Sequence, residues 1–367
     1  MISFFKQDVN KVLFKYALNN FKNDLWVNGK IVHKFENNLK KSLKIQHNVS
    51  SCNSGSDALL LSLLMDKNNK KDIYITTPIS YLASSSIPRF LGLNLIYIDV
   101  EEDGYTMCLE KLEYFLKNCP IKIKRRLKGI INVELFGTTC DLIKLRKISF
   151  KNNLSLIGDC AQSLGTKFRN KSTISYYDFS FTSFYPTKVL SCYGDGGAVF
   201  SKKNVKKLYL LKNNGHSFDD KSTCKELGIN SRLDSIQAYI LNSKLKKLNK
   251  IIILKRKFHE ILRKYIKDKY NFPKSKKEIK SNSYVFPMRV PSKSRSKFIK
   301  YMKLNNVECK VFYSKIIPDN KLLKPIVKTN LKNAKKLTKT LVCVPSHSEL
   351  KIKDIHKIGA LIKKFNF

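Results

Sequence analysis

In the stretch FTSFYPTKVLSCYGDGGAVF, residues 181–200, a single lysine, Lys188, stands between an aromatic-rich run and a cluster of glycines. A lysine amine becomes a useful nucleophile only when its proton is made easier to lose, by burial, a neighbouring cation or Schiff-base formation itself. Tyr185 and Pro186 set the backbone direction ahead of it, Ser183 lies just upstream, and the glycines from Gly194 to Gly197 turn the chain into a further strand. A solvated lysine needs no such setting. Three more segments offer chemistry. LSLIGDCAQSLG delivers Asp159 and Gln162 just past the end of an apolar strand, where a carboxylate is either a helix cap or a buried partner that holds a ring nitrogen protonated. NSGSDALLLSLL opens an apolar helix with Ser54, Gly55 and Ser56. Backbone N–H groups exposed at such an N-terminus seat a phosphate, and the Ser56 hydroxyl can add a bond, although a plain serine cap reads the same way. LGINSRLDSIQA places Asn230 and Arg232 before a helix, as an Asn-led cap also would.

The elements that must position these residues alternate. Between Ile73 and Phe200 the β-rich runs IYITTP, LNLIYIDV, KGIINVELFG, LSLIGDC, FSFTSF and GAVFS are separated by helical patterns. That alternation predicts an α/β fold, a mainly parallel sheet covered on both faces, with ligands gathered where the strands end. From Leu227 the pattern becomes long helical periodicity, in which Leu233, Ile236, Ile240, Leu245 and Leu248 share a face beneath lysines. The tail adds the strand-like runs SYVFPMRV and VECKVFY and a last helix, IKDIHKIGALIKKF. A large α/β domain over 1–250 and a small C-terminal α+β domain over 251–367 are expected, with the boundary between Lys250 and Asn271.

The chain has 367 residues, 71 basic and 28 acidic, for a net charge of +43. Such a balance suits a polyanionic partner. Yet the lysines are spread along the chain and not gathered into a tail or an Arg-rich stripe with interleaved aromatics, which argues for solvated faces and against nucleic acid. A positive field still attracts a phosphate-bearing small substrate. Nine cysteines without a C-x-x-C argue against a disulfide framework and structural zinc, and the histidines lack metal-ligand spacing. With no signal-like start and no long apolar run, a soluble cytoplasmic protein that does not engage a membrane is expected.

Together these segments resemble the DegT/DnrJ/EryC1/StrS sugar aminotransferases, pyridoxal-phosphate enzymes of the aspartate-aminotransferase fold type (fold type I). LWVNGKIVHKFENNL, CNSGSDAL, TPISYLASSSIPRFLGLNLIYIDV, GDCAQSLG, SFYPTKVLSCYGDGGAVFS, GINSRLDSIQAYIL and VPSHSEL follow the family's motifs in order over nearly the whole length. The resemblance implies that Lys188 carries the Schiff-base link to pyridoxal 5'-phosphate and shuttles the proton as the cofactor passes through its pyridoxamine form. It further implies that Asp159 pairs with the ring nitrogen, Gln162 lies near the ring's 3-hydroxyl, and Tyr81 stacks on the ring. The phosphate falls to Gly55, Ser56 and Ser183, and to Asn230 from the neighbouring subunit of a homodimer. The implied reaction takes an amino group from an amino acid, with glutamate expected, to a keto group of a nucleotide-linked sugar, a 4-keto-6-deoxyhexose first of all. Lys188 separates the chain from the family's dehydratase branch, which has histidine at the matching place. Tyr313 and His347 match substrate-side positions, although a loop histidine bonded to backbone reads equally well. Ser56 stands for the usual threonine, Glu134 for a frequent histidine, and Tyr313 lacks its following proline, so the sugar pocket departs from the pattern. The other readings are a pyridoxal-phosphate enzyme acting on a non-sugar ketone and a non-catalytic nucleic-acid binder on the same fold. The joint presence of Asp159, Gln162 and Lys188 argues against the second.

Overall fold

A computed structural model describes residues 1–6, 9, 11–22, 24–203, 205–217, 220, 222–266 and 277–366. Its centre is a seven-stranded sheet built from β1 (Asn48–Cys52), β2 (Ile73–Thr76), β3 (Asn94–Tyr97), β4 (Leu127–Val133), β5 (Ser155–Asp159), β8 (Phe179–Ser183) and β9 (Gly197–Ser201), in the order β1-β9-β8-β5-β4-β2-β3. Only β9 runs against its neighbours. Alternate residues feed two cores. Ile73, Ile75, Ile130, Leu156 and Phe200 pack on one face with Phe35 and Leu39, while Tyr74, Ile131, Ile157 and Val199 pack on the other with Leu59 and Leu63. Burial on both faces is why these strands read as continuous apolar runs.

The strands expected between Ile73 and Phe200 are present, and the central sheet holds one more that was not anticipated: NVSSC forms β1 at the sheet edge. Its serines hide it from an apolar pattern, but Ser50 and Ser51 are buried. The long periodicity after Leu227 resolves into two helices, Ser235–Leu245 and Leu248–Ile266. The second spans residue 250: Leu248 and Ile252 pack with the sheet core, and Phe258, Leu262 and Ile266 with a C-terminal cluster. Asn271 lies outside the described residues. That C-terminal cluster surrounds the antiparallel pair β11 (Phe286–Arg289) and β12 (Leu341–Val344) and the helices Arg295–Leu304 and Ile352–Lys364. VECKVFY is not a strand; it makes only isolated bridges, Val307 to Ile2 and Lys310 to Cys343. Three two-residue strands, β6 (Lys167–Phe168), β7 (Lys171–Ser172) and β10 (Ile279–Lys280), tie the loop after β5 to the C-terminal part. No helix among the described residues is long and apolar enough to cross a membrane.

Candidate active site

The C-terminal ends of the parallel strands open into a cavity of about 500 Å³. Gly55, Ser56, Tyr81, Asp159, Gln162, Ser183, Lys188 and Tyr313 all line it. Lys188 is the only cation among the described lining residues, against Glu134, Asp159 and Asp195. A chain with 71 basic side chains brings just one here, so its position is set by the fold and not by abundance.

β1 ends at Cys52, and Ser54 caps the Gly55–Met65 helix by accepting the Asp57 N–H at 3.1 Å, while its carbonyl accepts the Ala58 N–H. The first N–H groups of a helix have no intrahelical acceptor, so Gly55 and Ser56 offer theirs to the cavity. Glycine is required at this point, because a Cβ on Gly55 would stand 2.7 Å from the Ser183 Cβ. The Ser183 hydroxyl accepts the Tyr185 N–H at 3.2 Å and keeps its own proton to donate. Beyond β8 the Lys188 N–H bonds the Tyr185 carbonyl at 2.8 Å, closing a turn, and the amine lies 5.1 Å from the centre of the Tyr284 ring.

Asp159 ends β5 and is buried. One carboxylate oxygen accepts the Ala161 N–H at 3.1 Å and the other the Ser84 hydroxyl at 2.6 Å. Burial pushes its pKa up, while Ser84, Ala161 and the charge of Lys188 pull the other way. A protonated ring nitrogen is the kind of partner such a carboxylate accepts, since two of its roughly four lone-pair sites stay open. Gln162 is oriented without ambiguity: its Oε1 accepts the Phe136 N–H at 2.8 Å, so its Nε2 must be the end that donates to the Tyr313 hydroxyl at 3.0 Å. Tyr81 is 67% exposed, leaving its ring free to cover a ligand.

Two anticipated residues lie elsewhere. Asn230 is exposed and does not line its own chain's cavity, although its buried neighbour Ser231 bonds Asp57 and Asn53 at the start of the Gly55–Met65 helix. His347 is off the cavity wall; its Nε2 donates to the Ser3 carbonyl at 3.2 Å, the backbone-bonded alternative noted for it. Glu134 is wholly buried, accepting hydroxyl protons from Ser163, from Thr173 at 2.8 Å and from Tyr177 at 2.7 Å. Ser80, Ser84, Phe5, Tyr284 and Phe312 also line the cavity without having been singled out. Ser80 precedes the Ala83–Phe90 helix and Ser84 lies in its first turn, so no helical period in the sequence links the two. Phe5 comes from far along the chain, and no local pattern points to it.

The residues present fit a phosphorylated aromatic aldehyde: one cavity holds hydroxyl and N–H donors, a buried carboxylate and an amine. Comparison with known proteins agrees. The DegT/DnrJ/EryC1/StrS aminotransferase family matches residues 7–363. A relative from Pseudomonas aeruginosa, UDP-2-acetamido-2-deoxy-3-oxo-D-glucuronate aminotransferase, is 32% identical over 56% of this chain and 56% of its own, so the match spans about half of each. The dTDP-4-amino-4,6-dideoxy-D-glucose transaminase of Shigella dysenteriae is 26% identical over 92% of this chain and 90% of its own. A crystal structure of a DegT DnrJ EryC1 StrS aminotransferase from Brucella abortus superposes with a TM-score of 0.90 at 26% identity, over 96% of this chain and 95% of that one. The mostly parallel sheet is thus that of fold type I, and the chain belongs to the DegT/DnrJ/EryC1/StrS aminotransferase family.

Proposed function

We propose that the chain is a pyridoxal-phosphate-dependent aminotransferase that moves an amino group from an amino acid to a keto group of a nucleotide-linked sugar. Glutamate is the first donor to test and a 4-keto-6-deoxyhexose the first acceptor. The observation that carries this reading is the placement of Lys188, the sole cation among the described residues of the cavity wall, in one cavity with buried Asp159 and the open helix N-terminus at Gly55 and Ser56. Names of relatives that include UDP- and dTDP-linked sugars support the substrate class.

The chemistry supplied by pyridoxal phosphate, when bound, is an exchangeable carbonyl and an electron sink. Lys188 would hold the aldehyde carbon of that group and would carry a proton on its amine Nζ. Asp159 keeps the ring nitrogen protonated. The Gly55 and Ser56 N–H groups and the Ser56 and Ser183 hydroxyls take the phosphate, Tyr81 covers one ring face, and Gln162 and Tyr313 border the substrate side. His347 has no part in this assignment.

A homodimer is part of the proposal. The helix Lys11–Phe21 packs inward through Leu13 and Ala17 against Ile240, and it leaves Val12, Phe14, Tyr16 and Leu18 exposed. Phe14 and Leu18 line a hollow with Pro186, two residues from Lys188. An apolar face of this kind suits a second copy, and the exposed Asn230 of that copy is proposed to reach the phosphate across a two-fold axis.

The test is spectroscopic and covalent. The purified protein should show a visible Schiff-base band that borohydride abolishes, leaving the cofactor on the Lys188 peptide. Glutamate-dependent amination is then assayed over dTDP-, UDP- and GDP-linked keto sugars. Full-rate amination by Lys188→Ala would defeat the reading.

A further inference from the structure

The segment that carries Tyr81 also carries two buried hydroxyls, Ser80 and Ser84, at 5% and 2% exposure. Their oxygens are 2.7 Å apart, and the Ser84 hydroxyl is 2.6 Å from Asp159 Oδ2. The direction of this chain follows from proton counting. An ionised carboxylate only accepts, and a serine has one proton. Ser84 therefore donates to Asp159, and Ser80 donates to Ser84.

We propose that Ser84, backed by Ser80, is a positioning residue that acts through Asp159: the relay Ser80 to Ser84 to Asp159 holds the carboxylate charged and aimed at the cofactor ring nitrogen. The inference rests on the function proposed above. Three observations support it. The two carboxylate oxygens are differentiated, with Oδ1 fixed by the Ala161 N–H of its own loop and Oδ2 by a hydroxyl in the first turn of the Ala83–Phe90 helix. The donors run one way, so each bond strengthens the next. And the relay lies in the cavity wall, with Ser80, Ser84 and Asp159 all lining it. Burial works against the charged form of Asp159 and raises its pKa, and the Ser84 bond is the foremost contact that opposes this. One short segment, 80–84, thereby sets both what covers the ring and the charge at its nitrogen.

The experiment uses apoprotein reconstituted with pyridoxal phosphate labelled with ¹⁵N in the ring, in wild type, Ser84→Ala, Ser84→Thr and Ser84→Val. Threonine and valine have nearly the same shape and differ in the hydroxyl. At pH 7.5 the wild-type ring nitrogen is expected at the protonated chemical shift. Ser84→Ala and Ser84→Val should move it toward the unprotonated value and lower kcat about ten-fold, the scale of one lost charge-assisted bond, with KM for the keto sugar little changed. Ser84→Thr should keep both. Borohydride should still trap the cofactor on Lys188 in every variant, which shows that the site is folded. An unchanged ¹⁵N shift and kcat in Ser84→Ala overturns the relay alone. A threonine variant as impaired as valine also overturns it, because the effect is then one of bulk. A wild-type protein that forms no Lys188 adduct overturns both the relay and the function it rests on.

Discussion

Gly55 shows how narrowly one residue governs the proposed phosphate seat. Its missing side chain lets the helix start and β8 approach until a Cβ would meet the Ser183 Cβ at 2.7 Å, and neither atom belongs to a flexible chain end that could swing away. Gly55→Ala must therefore spread the N–H donors from the Ser183 hydroxyl. Overpacking of this kind costs about 1–3 kcal/mol. Titration of the apoprotein with pyridoxal phosphate is expected to show affinity about ten-fold weaker, with far-UV circular dichroism unchanged; wild-type affinity would show that the seat lies elsewhere. At this scale the sequence was readable wherever chemistry dictates the residue type. Lys188, Asp159 and the Gly55 loop stand out in the sequence and line one cavity, and in the roles proposed for them few other residues could supply an amine, a ring-nitrogen carboxylate or an absent side chain. Ser84 and Asn282 do not stand out. Asn282 bonds the Gln162 and Leu164 carbonyls and accepts the Tyr284 N–H, a role defined by which loops meet, and many sequences could express it.

The elements are held in place by contacts of the same long-range kind. Glu36, on the helix Lys30–Leu43, accepts both the N–H and the hydroxyl of Ser51 at 2.7 Å, and it lies 3.6 Å from the buried Lys212, which donates to the Ser51 carbonyl. These bonds fasten β1, the serine-bearing edge strand that apolar periodicity overlooked, one turn ahead of the phosphate seat. The strands between Ile73 and Phe200 were legible because they are buried on both faces; β1 is held by polar bonds, which leave no hydrophobic period, and VECKVFY has a β-like composition but few ladder partners. Glu36→Gln leaves Lys212 buried beside a neutral group, so a loss of about 3–5 kcal/mol in urea unfolding is expected at pH 7. Adding Lys212→Met should recover a large part of it, since the orphaned charge then goes too. Burial opposes the Glu36 charge, but Lys212, His33 and Ser51 outweigh it and hold its pKa below the ordinary carboxylate value. Its contribution is therefore complete above about pH 4.3 and fades as the pH falls through the lower folded value. The gap between wild type and Glu36→Gln should narrow on acidification; a gap independent of pH would mean that the carboxylate's charge is not what fastens β1.

For the whole molecule the open question is where the second set of phosphate ligands comes from. Among the described residues, the cavity of one chain offers hydroxyls, N–H groups and a single cation, which is a modest holding for a doubly charged phosphate, while Asn230 is exposed. In a two-fold dimer each site combines Lys188 of one copy with Asn230 of the other. That arrangement makes a quantitative prediction about mixtures. Lys188→Ala should be inactive alone, and Asn230→Ala strongly impaired alone through weakened cofactor binding. Unfolding and refolding them together in equal amounts makes half of the dimers mixed, and every mixed dimer holds one site in which both residues are intact. Activity should return to about a quarter of the wild-type value, by the statistics of symmetric pairing. A monomer, or a dimer whose sites are each complete within one chain, gains nothing beyond the sum of the two variants. The net charge of +43 sharpens the measurement: two such chains repel over a distance that salt screens, about 10 Å at 0.1 M. Recovery should therefore rise with ionic strength during refolding, whereas charge-driven binding of the nucleotide sugar during the assay should weaken with it.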